Sequence, residues 1–143
     1  MRSSRKAPVG FFVTTAVVML LAIGAASKAA DTMSSGLLDG MTFVGDLGEK
    51  GKTKGDKDTY EFKGGTFHST ACDGYGFKAA AYTATANGEV IKFESTTHSD
   101  KEGEMVWKGT VKGGHVEGTI VWTKGSQAID YWFKGSSAAM MKE

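Results

Sequence analysis

Three dipeptides, Gly64-Gly65, Asn87-Gly88 and Gly113-Gly114, each separate two runs in which apolar and polar residues alternate. Such pairs accept the positive φ angles of two-residue turns whose twist matches antiparallel strands, so each predicts a tight hairpin. A hairpin also fixes register, and register decides which side chains share a face. In the first hairpin Phe62 falls opposite Phe67, Tyr60 opposite Ser69 and Glu61 opposite His68. In the second, Tyr82 falls opposite Phe93, Ala84 opposite Ile91 and Thr83 opposite Lys92. In the third, Trp107 meets Ile120, Met105 meets Trp122 and Val111 meets Val116, while Lys108 with Thr119 and Thr110 with Glu117 occupy the other face. Apolar meets apolar in all three, and a slip of one residue would turn each of these side chains over.

Strand-like runs continue along the chain at 41–47, 58–63, 66–72, 79–86, 89–97, 103–112, 115–124 and 128–135, with turn residues between them and no helical period of useful length. This spacing belongs to an all-β sandwich or barrel. The tight turns follow the second, fourth and sixth runs, so in an up-and-down meander they share one end. The longer connections 48–57, 73–78, 98–102 and 125–127 share the other. The expected fold is an eight-stranded antiparallel up-and-down β-barrel over 41–136, a cup with a loop-lined rim, preceded by a polar linker at 30–40 and followed by a C-terminal tail at 137–143. Closure removes exposed strand edges, and eight strands leave an interior that side chains fill or that holds one small ligand.

Residues 1–29 read as a targeting segment rather than as part of the fold. Arg2, Arg5 and Lys6 form a basic start, Val9 to Ala26 is an uncharged apolar run, and Ser27-Lys28-Ala29 places small residues where a signal peptidase reads them. Cleavage after Ala29 is expected; the apolar run is also about as long as the ~18 residues that span a bilayer, so an uncleaved N-terminal anchor is the alternative. Either way the chain is expected to be exported, to the periplasm or beyond. Without residues 1–29, 13 basic residues stand against 16 acidic ones, a net charge of −3. A mildly acidic domain of this size has no electrostatic reason to bind nucleic acid or an anionic membrane. A single cysteine allows no internal disulfide, so stability must come from packing.

The meander of short strands on an exported chain resembles the calycin-type barrels, the lipocalins and avidins. The hairpin Trp107-Lys-Gly-Thr-Val-Lys-Gly-Gly114 is similar in spacing to the Trp-x-Gly-x-x-x-Gly-Gly hairpins of avidin-like proteins. The lipocalin Gly-x-Trp signature is absent from the first strand, where Met41-Thr-Phe-Val-Gly-Asp-Leu47 stands, and no biotin-contacting set carries over. The chain as a whole looks like small exported bacterial proteins of unknown function with a lipocalin-like domain. The resemblance implies a barrel and supplies no catalytic residue.

The stretch FHSTACDGYGF, 67–77, joins His68 to the only cysteine, Cys72. On a flat strand four residues separate their Cα atoms by about 13 Å, whereas a shared metal needs both ligand atoms within ~2.0–2.3 Å of one point. No metal or cofactor site is therefore expected. With Phe62 and Phe67 inward, His68 and Cys72 point outward: His68 as a surface partner of Glu61, Cys72 at the rim. There Asp73 is expected to set a turn by accepting a backbone N–H, and Cys72 is either a small hydrophobe under the loop or a reactive thiol open to a partner. Glu61, Glu94 and Glu117 fall on the outer face, and inward Ser69 has no inward histidine, so no catalysis is expected.

The inward aromatics are more informative. Tyr60, Phe62, Tyr82, Phe93, Trp107, Trp122 and Tyr131 suit a small apolar or aromatic ligand, or fill the barrel themselves. The facing pair Gly109 and Gly118 either opens room for that ligand or lets the sheet coil. Tyr75 and Phe77 are candidate lid residues, and the charged loop Gly48 to Lys57 lies at the same rim. The expected function is an exported lipocalin-like binding module for a small hydrophobic ligand. The alternative is a solid-core envelope barrel that acts by protein contact or through the thiol of Cys72.

Overall fold

The computed structural model describes residues 32–34 and 36–142; residues 1–29, read from the sequence as a targeting segment, and the expected cleavage after Ala29 lie outside them. Among the described residues are nine strands: β1 Thr32–Ser34, β2 Thr42–Glu49, β3 Asp56–Lys63, β4 Thr66–Ser69, β5 Ala80–Asn87, β6 Val90–Ser99, β7 Gly103–Lys112, β8 His115–Lys124 and β9 Gln127–Ser137. Strands β2 to β9 follow one another antiparallel, and β9 pairs back onto β2, closing the eight-stranded up-and-down barrel that the sequence predicts. The turns at 64–65, 88–89 and 113–114 lie at its closed end and the 3-10 segment η1, Thr70–Tyr75, at its open rim.

The first and third hairpins have the expected registers, Phe62 with Phe67 and Trp107 with Ile120. The second differs by two residues: Tyr82 pairs with Ser95 and Ala84 with Phe93. Its turn is Gly88-Glu89, with Gly88 at φ 61 and Glu89 at negative φ, the pattern that favours glycine at the first central position. The shift sets each large ring opposite a small residue, instead of forcing Tyr82 and Phe93 together in a narrow barrel. Because the side-chain period is two, the inward set is unchanged.

Within the segment 30–40, the described residues 32–34 and 36–40 lie against the barrel. Strand β1 pairs with β5 at Ala84–Ala86, covering the part of the β5 edge that short β4 leaves open. The following turn plugs the closed end: Leu38 is fully buried, its N–H donates to the Tyr82 hydroxyl (3.0 Å), and that hydroxyl donates to Asp39 (2.8 Å). The Asp39 carboxylate also accepts the Gly65 N–H, so one acidic residue ties the plug to the first tight turn. At the other terminus β9 runs through Ser137, and Met140–Lys142 form a last 3-10 turn.

The barrel interior is filled by rings. Trp107 lies 4.8 Å from Phe67 and 5.2 Å from Phe133 between ring centroids, and Phe62 lies 4.9 Å from Phe93 and 5.0 Å from Tyr82. Most of these contacts are edge-on or tilted, the geometry in which an aromatic pair adds about 0.5–1.5 kcal/mol beyond its area. Gly109 and Gly118 pair directly across β7 and β8. A methyl on Gly109 would lie 2.7 Å from Phe93 Cζ and 2.8 Å from Phe133 Cζ, and one on Gly118 would lie 2.7 Å from Phe133 Cε1. The glycine pair is therefore space for two phenyl rings and not an empty chamber.

Gly118→Ala is expected to destabilise the fold by about 3 kcal/mol, the upper end for overpacking a filled core. Gly74→Ala, which meets nothing within 4 Å and needs no positive φ, should stay within about 0.5 kcal/mol of wild type. Urea unfolding of the two variants measures the difference.

Candidate functional site

The rim is built where strand β4 stops. The sequence reading runs this strand to residue 72, but it ends at Ser69 and the chain turns into η1, closed by Gly76 at φ 83. The cause is Asp58, at the rim end of β3. Its carboxylate, 3% exposed, accepts the Ser69 hydroxyl (2.5 Å), the Ala71 N–H (2.9 Å) and the Thr59 N–H (2.7 Å). The Ala71 amide is thus drawn away from any strand ladder. Burial pushes the Asp58 carboxyl above its ordinary range, and these hydrogen bonds pull it part of the way back.

The turn reverses Cys72. Outward in the strand parity, it takes instead the other expected state, burial under the loop: it is 5% exposed, with Sγ 3.3 Å from Ser69 Oγ and donating to Met105 Sδ at 3.8 Å. Burial, with the nearby charges of Asp58 and Asp73, pushes its pKa up to about 11 despite the Ser69 contact. Such a thiol stays protonated at neutral pH and lacks the thiolate a nucleophile requires. His68 does face outward beside Glu61 (3.4 Å), and it also holds Asp73 at 2.5 Å. Asp73 therefore pins η1 through its side chain. The Asp73 hydrogen bond, opposed by partial burial and helped by Glu61, raises the His68 pKa above 6.5.

Above Cys72 the barrel mouth holds a cleft of about 500 Å³. Its floor is Cys72 and Met105, and one wall is Ala71, Tyr75 and Phe77 from η1 and the segment after it. Trp122 and Tyr131 face that wall from β8 and β9, with Leu47, Asp56 and Glu102 at the edge. Ser99 ties the two sides: its hydroxyl donates to the Tyr75 carbonyl (2.7 Å) and accepts the Glu102 N–H (3.2 Å). The Trp122 indole N–H donates to the Glu102 carbonyl (2.6 Å), which fixes that ring. The volume lies within the range of small-molecule sites, ~300–1,000 Å³. A second concavity of about 570 Å³ between the 50–55 loop and the outer face of β8 and β9 is an open groove among Lys52, Thr119 and Lys134, with Trp132 bonded to the Lys52 carbonyl. Apart from Gly118, Trp132 and Phe133, the residues lining it are charged or hydroxyl-bearing, and it lies flatter and more open to solvent than the rim cleft, so the more enclosed rim cleft is the better ligand site.

The residues read from sequence as ligand-binding separate into two groups. Tyr60, Phe62, Tyr82, Phe93 and Trp107 are at most 2% exposed and form the packed centre, with Gly109 buried under Phe93 and Phe133 and half-buried Gly118 held against the β7 backbone and Phe133. Trp122, Tyr131, Tyr75 and Phe77 meet at the cleft, Tyr75 as a 63%-exposed edge and Phe77 as a buried wall rather than a lid. Asp58, Ser99 and Glu102 were not singled out. Asp58 shares the inward parity of Tyr60 and Phe62, and Ser99 shares that of Phe93, so alternation alone carried the signal for both. Compared with protein-family models, with curated proteins and with solved structures, the chain matches none.

Two outcomes follow from the Asp58 and His68 contacts. Asp58→Ala strands three donors, and the variant should lose about 2–3 kcal/mol of stability while Cys72 changes from slow to rapid maleimide labelling in native buffer. His68, whose folded pKa lies above its unfolded value, contributes stability that is fully present below about pH 6.5 and is lost as pH rises through the folded pKa. The loss between about pH 5 and 8, under about 1 kcal/mol for a partly exposed pair, should be smaller in His68→Gln, as urea midpoints across that range would record.

Proposed function

We propose that this protein is an exported, calycin-like binding module that holds a small apolar or aromatic ligand at its rim rather than in its centre. The observation that carries the proposal is the cleft over Cys72 and Met105, walled by Phe77, Trp122 and Tyr131. These groups present apolar and aromatic surface on three sides. Ser99 holds the η1 wall through the Tyr75 carbonyl and the Glu102 carbonyl fixes the Trp122 ring, which lessens the ordering left for a ligand to impose. The closed eight-stranded meander supports the likeness to calycins; its ring-filled interior departs from a deep ligand chamber.

No group in the cleft combines a nucleophile with a base. The buried thiol is protonated, and Asp58 is saturated by its own donors. Binding without turnover is the chemistry this arrangement supports. A barrel acting by protein contact is favoured by the exposed Tyr75 ring at the same edge and by Val121, Met140 and Met141, the other exposed large apolar side chains among the described residues.

The neutral probe N-phenyl-1-naphthylamine is expected to bind one molecule per chain. Trp122→Ala, checked for an intact fold by urea unfolding, should weaken it about tenfold, the value of a lost aromatic wall. Thr110→Ala in the outer groove should leave it unchanged. Absence of probe fluorescence, or binding indifferent to Trp122→Ala, would contradict the proposal.

A further inference from the structure

Resting on the rim-cleft reading, we infer that the ligand carries a positive charge: the cleft is built for a small organic cation of the alkylammonium class. Its lining includes two carboxylic residues, Asp56 and Glu102, and no lysine, arginine or histidine. Lys124 reaches Glu102 at 3.0 Å and offsets one of the two charges, while Asp56 has no salt bridge among the described residues. A third carboxylate, Asp58, lies beneath the floor, bonded to the Ser69 hydroxyl that touches Cys72. On the Tyr131 side, Lys52 and Lys54 share an adjoining surface pocket with Asp56 but do not line the cleft; Lys52 is engaged by Glu49 at 2.6 Å.

Hydrogen-bond capacity points the same way. The Trp122 N–H is committed to a backbone carbonyl and the amides beside Asp58 to its carboxylate. An anion entering the cleft would meet acidic oxygens and few free donors. A cation would meet the Asp56 carboxylate, the Lys124-paired carboxylate of Glu102, an indole and phenols, the kinds of group among which quaternary ammonium ions are held. A wholly apolar ligand would use the rings and leave the charge unanswered.

Displacement of bound N-phenyl-1-naphthylamine tests this with three competitors of similar size: benzyltrimethylammonium, its neutral isostere neopentylbenzene, and the anion phenylacetate. The cation should displace the probe at a concentration at least about tenfold lower than either of the others. This preference, read as the ratio of the cation's displacing concentration to that of neopentylbenzene on the same protein, should shrink at about 0.5 M salt and disappear in the Asp56→Asn, Glu102→Gln double variant. Equal or stronger displacement by neopentylbenzene, or none by the cation, would overturn the charge inference and leave the rim cleft as a neutral apolar site. Failure of the probe itself to bind would overturn both.

Discussion

The packing of Phe93 and Phe133 over the Gly109–Gly118 pair is the contact on which the rest of this barrel depends. Two facing residues without side chains let strands β7 and β8 present bare backbone to the interior, and the two rings close onto it. Phe133 in turn meets Trp107 at 5.2 Å and Tyr60 at 5.3 Å, so the cluster spans the barrel from wall to wall. An eight-stranded barrel has just enough interior for such a cluster or for a ligand, and here the rings take it.

A filled centre moves the chemistry to the mouth. Inward positions near the rim are polar and short, Asp58, Ser69, Thr97 and Ser99, and each bonds inside the protein: Thr97 accepts the Trp107 indole N–H at 3.1 Å, and Ser99 joins η1 to the β6–β7 turn. No buried side-chain polar atom among the described residues lacks a partner. This polar tier supports the walls of the cleft without lining it, which leaves Trp122, Tyr131, Phe77 and Met105 among the residues that form its surface.

Much of the barrel was legible because alternation and turn chemistry agree. Gly64-Gly65 and Gly113-Gly114 leave one choice of turn, with both glycines at positive φ, and their registers follow. Asn87-Gly88-Glu89 allows two, and tertiary packing chose the one that puts Phe93 opposite Ala84. Parity found the inward rings but not which of them would be open, since that depends on how far each ring reaches across the barrel. The end of β4 was not legible for a related reason. Ser69 to Cys72 alternates as a strand would, and only Asp58, eleven residues earlier, competes for the Ser69 hydroxyl and the Ala71 amide. A contact between distant positions overrode a local pattern, and with it the side to which Cys72 points.

The two indole N–H resonances of Trp107 and Trp122 offer the most direct test, because one reports the packed centre and the other the rim. Titrating N-phenyl-1-naphthylamine into nitrogen-15-labelled protein should shift the Trp122 indole and the Met105 region while the Trp107 indole, bonded to Thr97, stays in place. A shift of Trp107 as large as that of Trp122 would mean that the ring cluster opens to admit a ligand, and would contradict the account of a solid barrel that binds at its mouth.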